Sequence, residues 1–233
     1  MLDISCVLFA YHRTPNHKLD EFVEIINQNS IILNKENVRC FVDEKMFKKN
    51  LQVNKIYAKF DKKRVWTAYK IENYQNKVVN FDADLFLNKL NLQTINNFIN
   101  KNLNNKFIMT NFYTTSSPLR IKLRKQIFLK FDLDWNISPT SFAVFYTNDK
   151  NFLDTYKSYP LEIEYYEKLL KYKFSEDEKF ELACIREEDL GIALAKKLNL
   201  DCFMLNYYHK QQIMNYNIEK AMYVQQPHLI IQS

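Results

Sequence analysis

Ile4 to Tyr11 (ISCVLFAY) is a continuous apolar run without alternation, the pattern of a strand buried on both faces. Past Pro15 the period lengthens, and Leu19, Phe22, Val23 and Ile26 share one stripe of a helix over Lys18–Gln28. Short apolar runs predict strands at Ser30–Leu33 and Val38–Val42. From Lys55 to Phe81 the period reads as two. IYAKF, VWTAYKIENY and KVVNF predict an antiparallel meander whose first turn is Asp61-Lys62-Lys63-Arg64. Asp84 is an N-cap for a helix through Leu85, Leu87 and Leu90. A second helix over Thr94–Leu103 places Ile95, Phe98, Ile99 and Leu103 on one face.

Strands resume at Lys106–Thr114 and at Leu119–Trp135. In the latter, Ile121, Leu123, Ile127, Leu129 and Phe131 share one parity while Arg120, Lys122, Arg124 and Lys130 share the other. Ser141–Thr147 is a further strand, and Pro160 opens a helix running to Tyr172. Phe180–Ile185, Glu187–Leu198 and Asp201–Tyr208 read strand, helix, strand. A last helix over Gln211–Met222 and a strand at His228–Gln232 complete the chain. The predicted class is α+β: a mixed, largely antiparallel sheet with flanking helices and a C-terminal βαβ unit. The charge balance changes sign near Asp149–Asp154. This suggests an α+β region over 1–150 and an α/β region over 151–233 packed on it, or one domain throughout.

Composition narrows the chemistry. The chain has one glycine in 233 residues, Gly191. That is the only position free to take positive φ at no steric cost and the only place for bare backbone to approach a ligand. Phosphate-cradling loops, the nucleophile elbow and the glycine-rich kinase loop all need more glycines, so no cofactor loop is expected. No apolar run approaches the ~20 residues that span a bilayer, and Asp3 sits where a signal peptide carries positive charge. A cytoplasmic protein without a membrane partner is expected. Cys6, Cys40, Cys184 and Cys202 form no CxxC pair and read as free thiols, with no zinc-ligand spacing.

Net charge is +6, but it is polarised. Residues 51–150 carry 16 Lys/Arg against 7 Asp/Glu, and 161–190 carry 10 Asp/Glu against 5 Lys/Arg. The acidic segment presents Glu162, Glu164, Glu167, Glu176, Asp177, Glu178, Glu187, Glu188 and Asp189, interleaved with Tyr165. Such a surface suits docking to a basic protein partner. With no catalytic constellation evident, the leading expectation is a non-enzymatic binding protein, most concretely a bacterial immunity or antitoxin-type protein that neutralises a basic toxin domain. The alternative partner is nucleic acid. Lys62, Lys63, Arg64 and Trp66 at a hairpin tip, with Arg120, Lys122 and Arg124 on a strand face, would supply phosphate contacts and stacking. His12, His17, His209 and His228 stand without an evident carboxylate or nucleophile, and Ser116 and Ser117 lie in a turn composition.

A third reading is enzymatic. Asp82-Ala83-Asp84 directly follows the apolar run Val78–Phe81, and a DxD at a strand end can hold a divalent metal that grips a diphosphate leaving group. The N-terminal apolar strand, the HRTPNHKL loop and the amphipathic helix, taken with this DxD, resemble the opening of a family 2-like glycosyltransferase. That resemblance implies a metal-dependent glycosyl- or phosphotransferase using Asp82 and Asp84, with βα alternation between the first strand and the DxD, where the apolar period predicts a meander instead. A second DxD, Asp132-Leu133-Asp134, reads as a partner for cross-strand ion pairs.

Overall fold

The computed structural model describes residues 5–10, 19–33, 38–83, 85, 87, 89–112, 116–138, 140–205 and 229–231. Strand β1 (Cys6–Phe9) leads through α1 (Leu19–Ile32) to β2 (Val38–Val42), and the short α2 (Glu44–Phe47) leads on to β3 (Asn54–Tyr57). Helix α3 (Ala68–Asn73) returns the chain to β4 (Val79–Asp82), followed by α4 (Lys89–Lys101) and β5 (Phe107–Phe112). Helix α5 (Pro118–Lys130) and β6 (Thr140–Thr147) precede α6 (Lys150–Ser158), α7 (Ile163–Leu170) and α8 (Glu176–Cys184). A π-helical turn (Ile185–Asp189) joins α8 to α9 (Leu190–Lys197), and β7 (Asp201–Leu205) and β8 (Leu229–Ile231) close the described chain.

The eight strands among the described residues form one sheet in the order β3-β2-β1-β4-β6-β5-β7-β8. The class is α+β, a mixed sheet flanked by helices. Pairings β1–β2, β1–β4, β2–β3 and β5–β7 are parallel, while β4–β6, β5–β6 and β7–β8 are antiparallel. Six strands therefore run one way, with β6 and β8 reversed.

Four expectations are corrected. The segment 55–81 is no meander: β3 and β4 are both parallel to β1, and VWTAYKIENY supplies α3 between them. Val65, Ala68 and Ile71 recur at helical spacing and are buried there, and tertiary packing overrides the short alternation. Leu119–Trp135 is helical over most of its length. Pro118 occupies the first turn of α5, and the Ser117 side chain caps it by accepting from Arg120 N at 3.0 Å. Phe180–Ile185 is also helical, so the first strand expected of a C-terminal βαβ unit is a helix, and β7 takes β5 as its parallel partner. Ser30–Leu33 continues α1 as its last turn. The helix at Gln211–Met222 lies outside the described residues.

Alternate strand positions feed two cores. Val7 and Phe9 of β1 join Phe142 and Phe145 of β6 beneath α3 and α5–α9. Cys6 and Leu8 join Val79 and Phe81 of β4 beneath α1, α2 and α4. A sheet covered on both faces explains why its strands read as unbroken apolar runs. Asp149 caps α6, accepting from Phe152 N at 2.8 Å.

Gly191 sits inside α9, not in a loop, and positive φ is carried instead by Lys77, Asp132, Lys171 and Asn199. A Cβ on Gly191 would approach Phe142 Cζ to 2.3 Å, so the one glycine lets α9 lie against β6. Cys6 and Cys40 are buried free thiols, both pushed up to about 12 by burial.

Candidate active site at the carboxyl edge of the sheet

From β1 the chain winds outward to β2 and β3, then crosses back to place β4 on the other side of β1. The point where strand order reverses is where open α/β sheets bind ligands, outside the strands' carboxyl ends. Here that point falls between Ala10, just beyond β1, and Asp82, the last residue of β4, both of them buried. Backbone contacts fix both strand ends: Ala83 N donates to Phe9 O at 2.9 Å and the Tyr69 hydroxyl to Ala10 O at 3.3 Å.

Buried Asn29 of α1 holds the loop after β4. Its Nδ2 donates to Leu85 O at 2.6 Å and Ala83 O at 3.3 Å, and its Oδ1 accepts from Leu87 N at 3.1 Å. Asn29 sits among polar residues of a helix, and nothing in the sequence marks it. Asp84 lies outside the described residues, as do the four histidines.

Asp82 faces α3 and the π-helical turn, where it meets a buried charge cluster. Lys70 of α3 places its Nζ 2.7 Å from Asp82 Oδ1 and also pairs with Glu187 Oε1. The Tyr74 hydroxyl donates to Glu187 Oε1 at 2.6 Å, and the Tyr156 hydroxyl to Glu187 O at 2.6 Å. Lys70, Asp82 and Glu187 expose only 1%, 1% and 3% of their side chains, so they meet in low dielectric. Burial lifts the Glu187 carboxyl from 4.5 to about 7 against the pull of Lys70, with Asp82 and Glu188 adding to the rise. Burial disfavours the Lys70 cation, but Asp82 and Glu187 outweigh it and hold the ammonium above its ordinary value. Tyr74 is pushed well up by burial and by Glu187.

The next two residues of the turn pair with α5. Arg120 forks Asp189, Nε to Oδ2 at 3.0 Å and Nη2 to Oδ1 at 2.7 Å, and reaches Glu188 Oε2 at 2.7 Å. Arg124 Nη1 adds a 3.3 Å contact to Asp189. Glu188 Oε1 accepts from Phe142 N at 3.4 Å, at the start of β6 beside the same sheet edge. Asp189 is wholly buried, whereas Glu188 retains 15% side-chain exposure and is the turn's accessible carboxylate. Arg186 turns the other way, donating to the carbonyls of Tyr156, Tyr159 and Pro160. A π-helical turn is uncommon and concentrates at functional sites. This one sets three successive carboxylates against two helices and a strand.

The structure distributes the expected site residues differently from the sequence reading. Glu187, Glu188 and Asp189 turn inward, because each has a buried or half-buried cation partner, and do not join the acidic surface. Glu162, Glu164, Tyr165, Glu176 and Asp177 are exposed, while Glu167 and Glu178 are half-buried. Several of these carboxylates are locally engaged: Glu164 by Lys168, Glu167 by Lys173, Glu176 by Lys179, and Glu178 in the capping box of α8. The basic face is likewise divided. Arg120 and Arg124, four apart on α5, are buried against Asp189, and Lys122 points to solvent. Lys62 and Lys63 are exposed in the turn before α3, Arg64 pairs with Glu72 and Glu162, and Trp66 stacks on Phe180 at 6.3 Å. Asp132 and Asp134 pair with Lys197 and Lys196 of α9, not across strands.

Among the described residues no helix is long and apolar enough to cross a membrane, and no group of three acidic, histidine or cysteine side chains is placed to hold a metal ion. No known family profile, no curated protein and no solved structure matches the chain.

Proposed function

We propose that the chain is a nucleotide-dependent group transferase, most concretely a glycosyltransferase that takes a sugar from a nucleoside diphosphate donor. One observation carries this reading: Asp82 ends β4 at the switch point of a parallel β3-β2-β1-β4 half, joined through Lys70 to Glu187 of the π-helical turn. The resemblance to family 2-like glycosyltransferases calls for βα alternation between the first strand and the DxD, and β1-α1-β2-α2-β3-α3-β4 has that alternation. In this reading the nucleotide lies across the ends of β1 and β4. Glu188, accessible and oriented by Arg120 and Phe142 N, accepts the proton of an acceptor hydroxyl. Asp189 and Arg124 hold that helix in place and touch no substrate.

The partner-binding reading has less support, since Glu187 and Asp189 are buried, Glu188 is paired with Arg120, and Glu164, Glu167 and Glu176 are paired with nearby lysines. The test is turnover of UDP- and GDP-sugars, followed as release of the nucleoside diphosphate. Glu188→Gln is expected to lower kcat by about 100-fold or more while leaving the melting temperature and nucleotide affinity near wild type. Absence of turnover with every donor, together with no binding of UDP or GDP, contradicts the reading.

A further inference from the structure

A DxD at a strand end ordinarily implies a divalent ion. The surroundings of Asp82 do not fit one. A divalent ion takes carboxylate oxygens at about 2.0–2.6 Å, and Asp82 Oδ1 already faces the Lys70 ammonium at 2.7 Å. The same ammonium contacts Glu187 Oε1, and all three side chains are closed to solvent. Tyr74 takes the next position on that Glu187 oxygen. An ion set between Asp82 and Glu187 would have to displace a buried lysine that both carboxylates hold in its charged form.

We infer that Lys70 is a resident cation standing between Asp82 and Glu187 where a metal ion would otherwise sit, so that a nucleoside diphosphate bound at the ends of β1 and β4 needs no divalent metal at Asp82. The part concerning the diphosphate rests on the transferase reading; the part concerning Asp82 does not. The logic is a substitution of charge. Two carboxylates brought together in low dielectric need a cation, and α3 delivers one covalently attached, present at every ionic composition of the solvent. Glu187 takes up a proton when that single positive charge is insufficient for both. Asp82 is then a fixed, partly neutralised charge beneath the ends of β1 and β4, not a ligand awaiting an ion.

The proposal predicts a swap of cations. Wild-type chain, titrated with Mn²⁺ or Mg²⁺ alone after EDTA treatment, should show no rise in melting temperature. Lys70→Ala leaves two carboxylates facing a lysine-sized vacancy, melts lower, and should regain stability in Mn²⁺ but not in matched Na⁺. Calorimetric titration of wild type with UDP and with GDP should give affinities in EDTA and in Mn²⁺ within about twofold of each other, well under the 1.4 kcal/mol that marks a tenfold change. A wild type stabilised by Mn²⁺ alone, with the effect lost in Asp82→Asn, overturns the inference, as does nucleotide binding that weakens more than about tenfold in EDTA. These measurements stand even where Lys70→Ala does not fold. Failure of UDP and GDP to bind under any condition counts against the nucleotide reading alone, and the Mn²⁺ titration still decides the role of Lys70.

Discussion

Glu187→Gln is the substitution that most sharply probes the buried cluster. Burial raises the Glu187 carboxyl from 4.5 to about 7, more than the neighbouring Lys70 can offset. Between those two values the folded chain retains a proton that the unfolded chain has released. The folded state therefore binds more protons, and stability falls as pH rises through the window and levels off above it. At about 1.4 kcal/mol per pH unit, the separation amounts to about 3 kcal/mol. Glutamine keeps a carbonyl oxygen for Lys70 Nζ and the Tyr74 hydroxyl, leaves the Lys70–Asp82 pair balanced, and does not titrate. Melting curves by circular dichroism at constant ionic strength, from pH 4.5 to 8, should show the variant gaining on wild type as pH rises. For a chain of this size the gain should reach roughly 6 °C or more at pH 8. Two pH profiles that remain parallel would refute the reasoning, because Glu187 would then be ionised throughout and Lys70 would outweigh burial.

Lys70→Met removes the cation from two buried carboxylates and should cost about 3–5 kcal/mol at pH 7 by chemical denaturation, and less at pH 5, where Glu187 carries a proton. Gly191→Ala should destabilise by about 1–3 kcal/mol although alanine favours helix, because its Cβ meets the Phe142 ring; a stabilised variant would show that the ring moves aside freely. Asn29→Ala should cost about 1–3 kcal/mol and loosen the loop after β4, read as faster amide exchange at Leu87. Cys6 and Cys40, buried and held as thiols, should resist a thiol reagent in the native chain and react on unfolding.

What was legible in the sequence follows from where each signal is stored. β1, β2, β4 and β6 are short apolar runs buried on both faces, and their burial is written in their own residues. Their direction is not, because parallel or antiparallel pairing depends on the partner strand, so a period-two reading of 55–81 became a meander. Helix α5 was hidden by lysines and arginines alternating with aliphatics. Leu119, Leu123 and Ile127 also recur every four residues, and Ser117-Pro118 was the cap that should have decided for helix. The candidate site was half visible. Asp82 and the Glu187–Asp189 run stand out in composition, but the sequence reading turned the acidic run toward solvent. Its cation partners lie far along the chain: Lys70 is 117 positions from Glu187, and Arg120 is 69 from Asp189. Ion pairs of that separation leave no local pattern, and only the packing of α3 and α5 onto one face brings them together.

Hydrogen exchange in the presence of saturating UDP or GDP tests the central claim most directly, since it reports where a nucleotide touches the fold. The account predicts added protection in peptides covering the end of β1, the end of β4 with the loop that follows, and the turn at 185–189. The outer strand β3 and the far side of α4 should stay unchanged. Protection confined to those outer elements, or none with either nucleotide, would contradict a nucleotide site at the β1–β4 switch point.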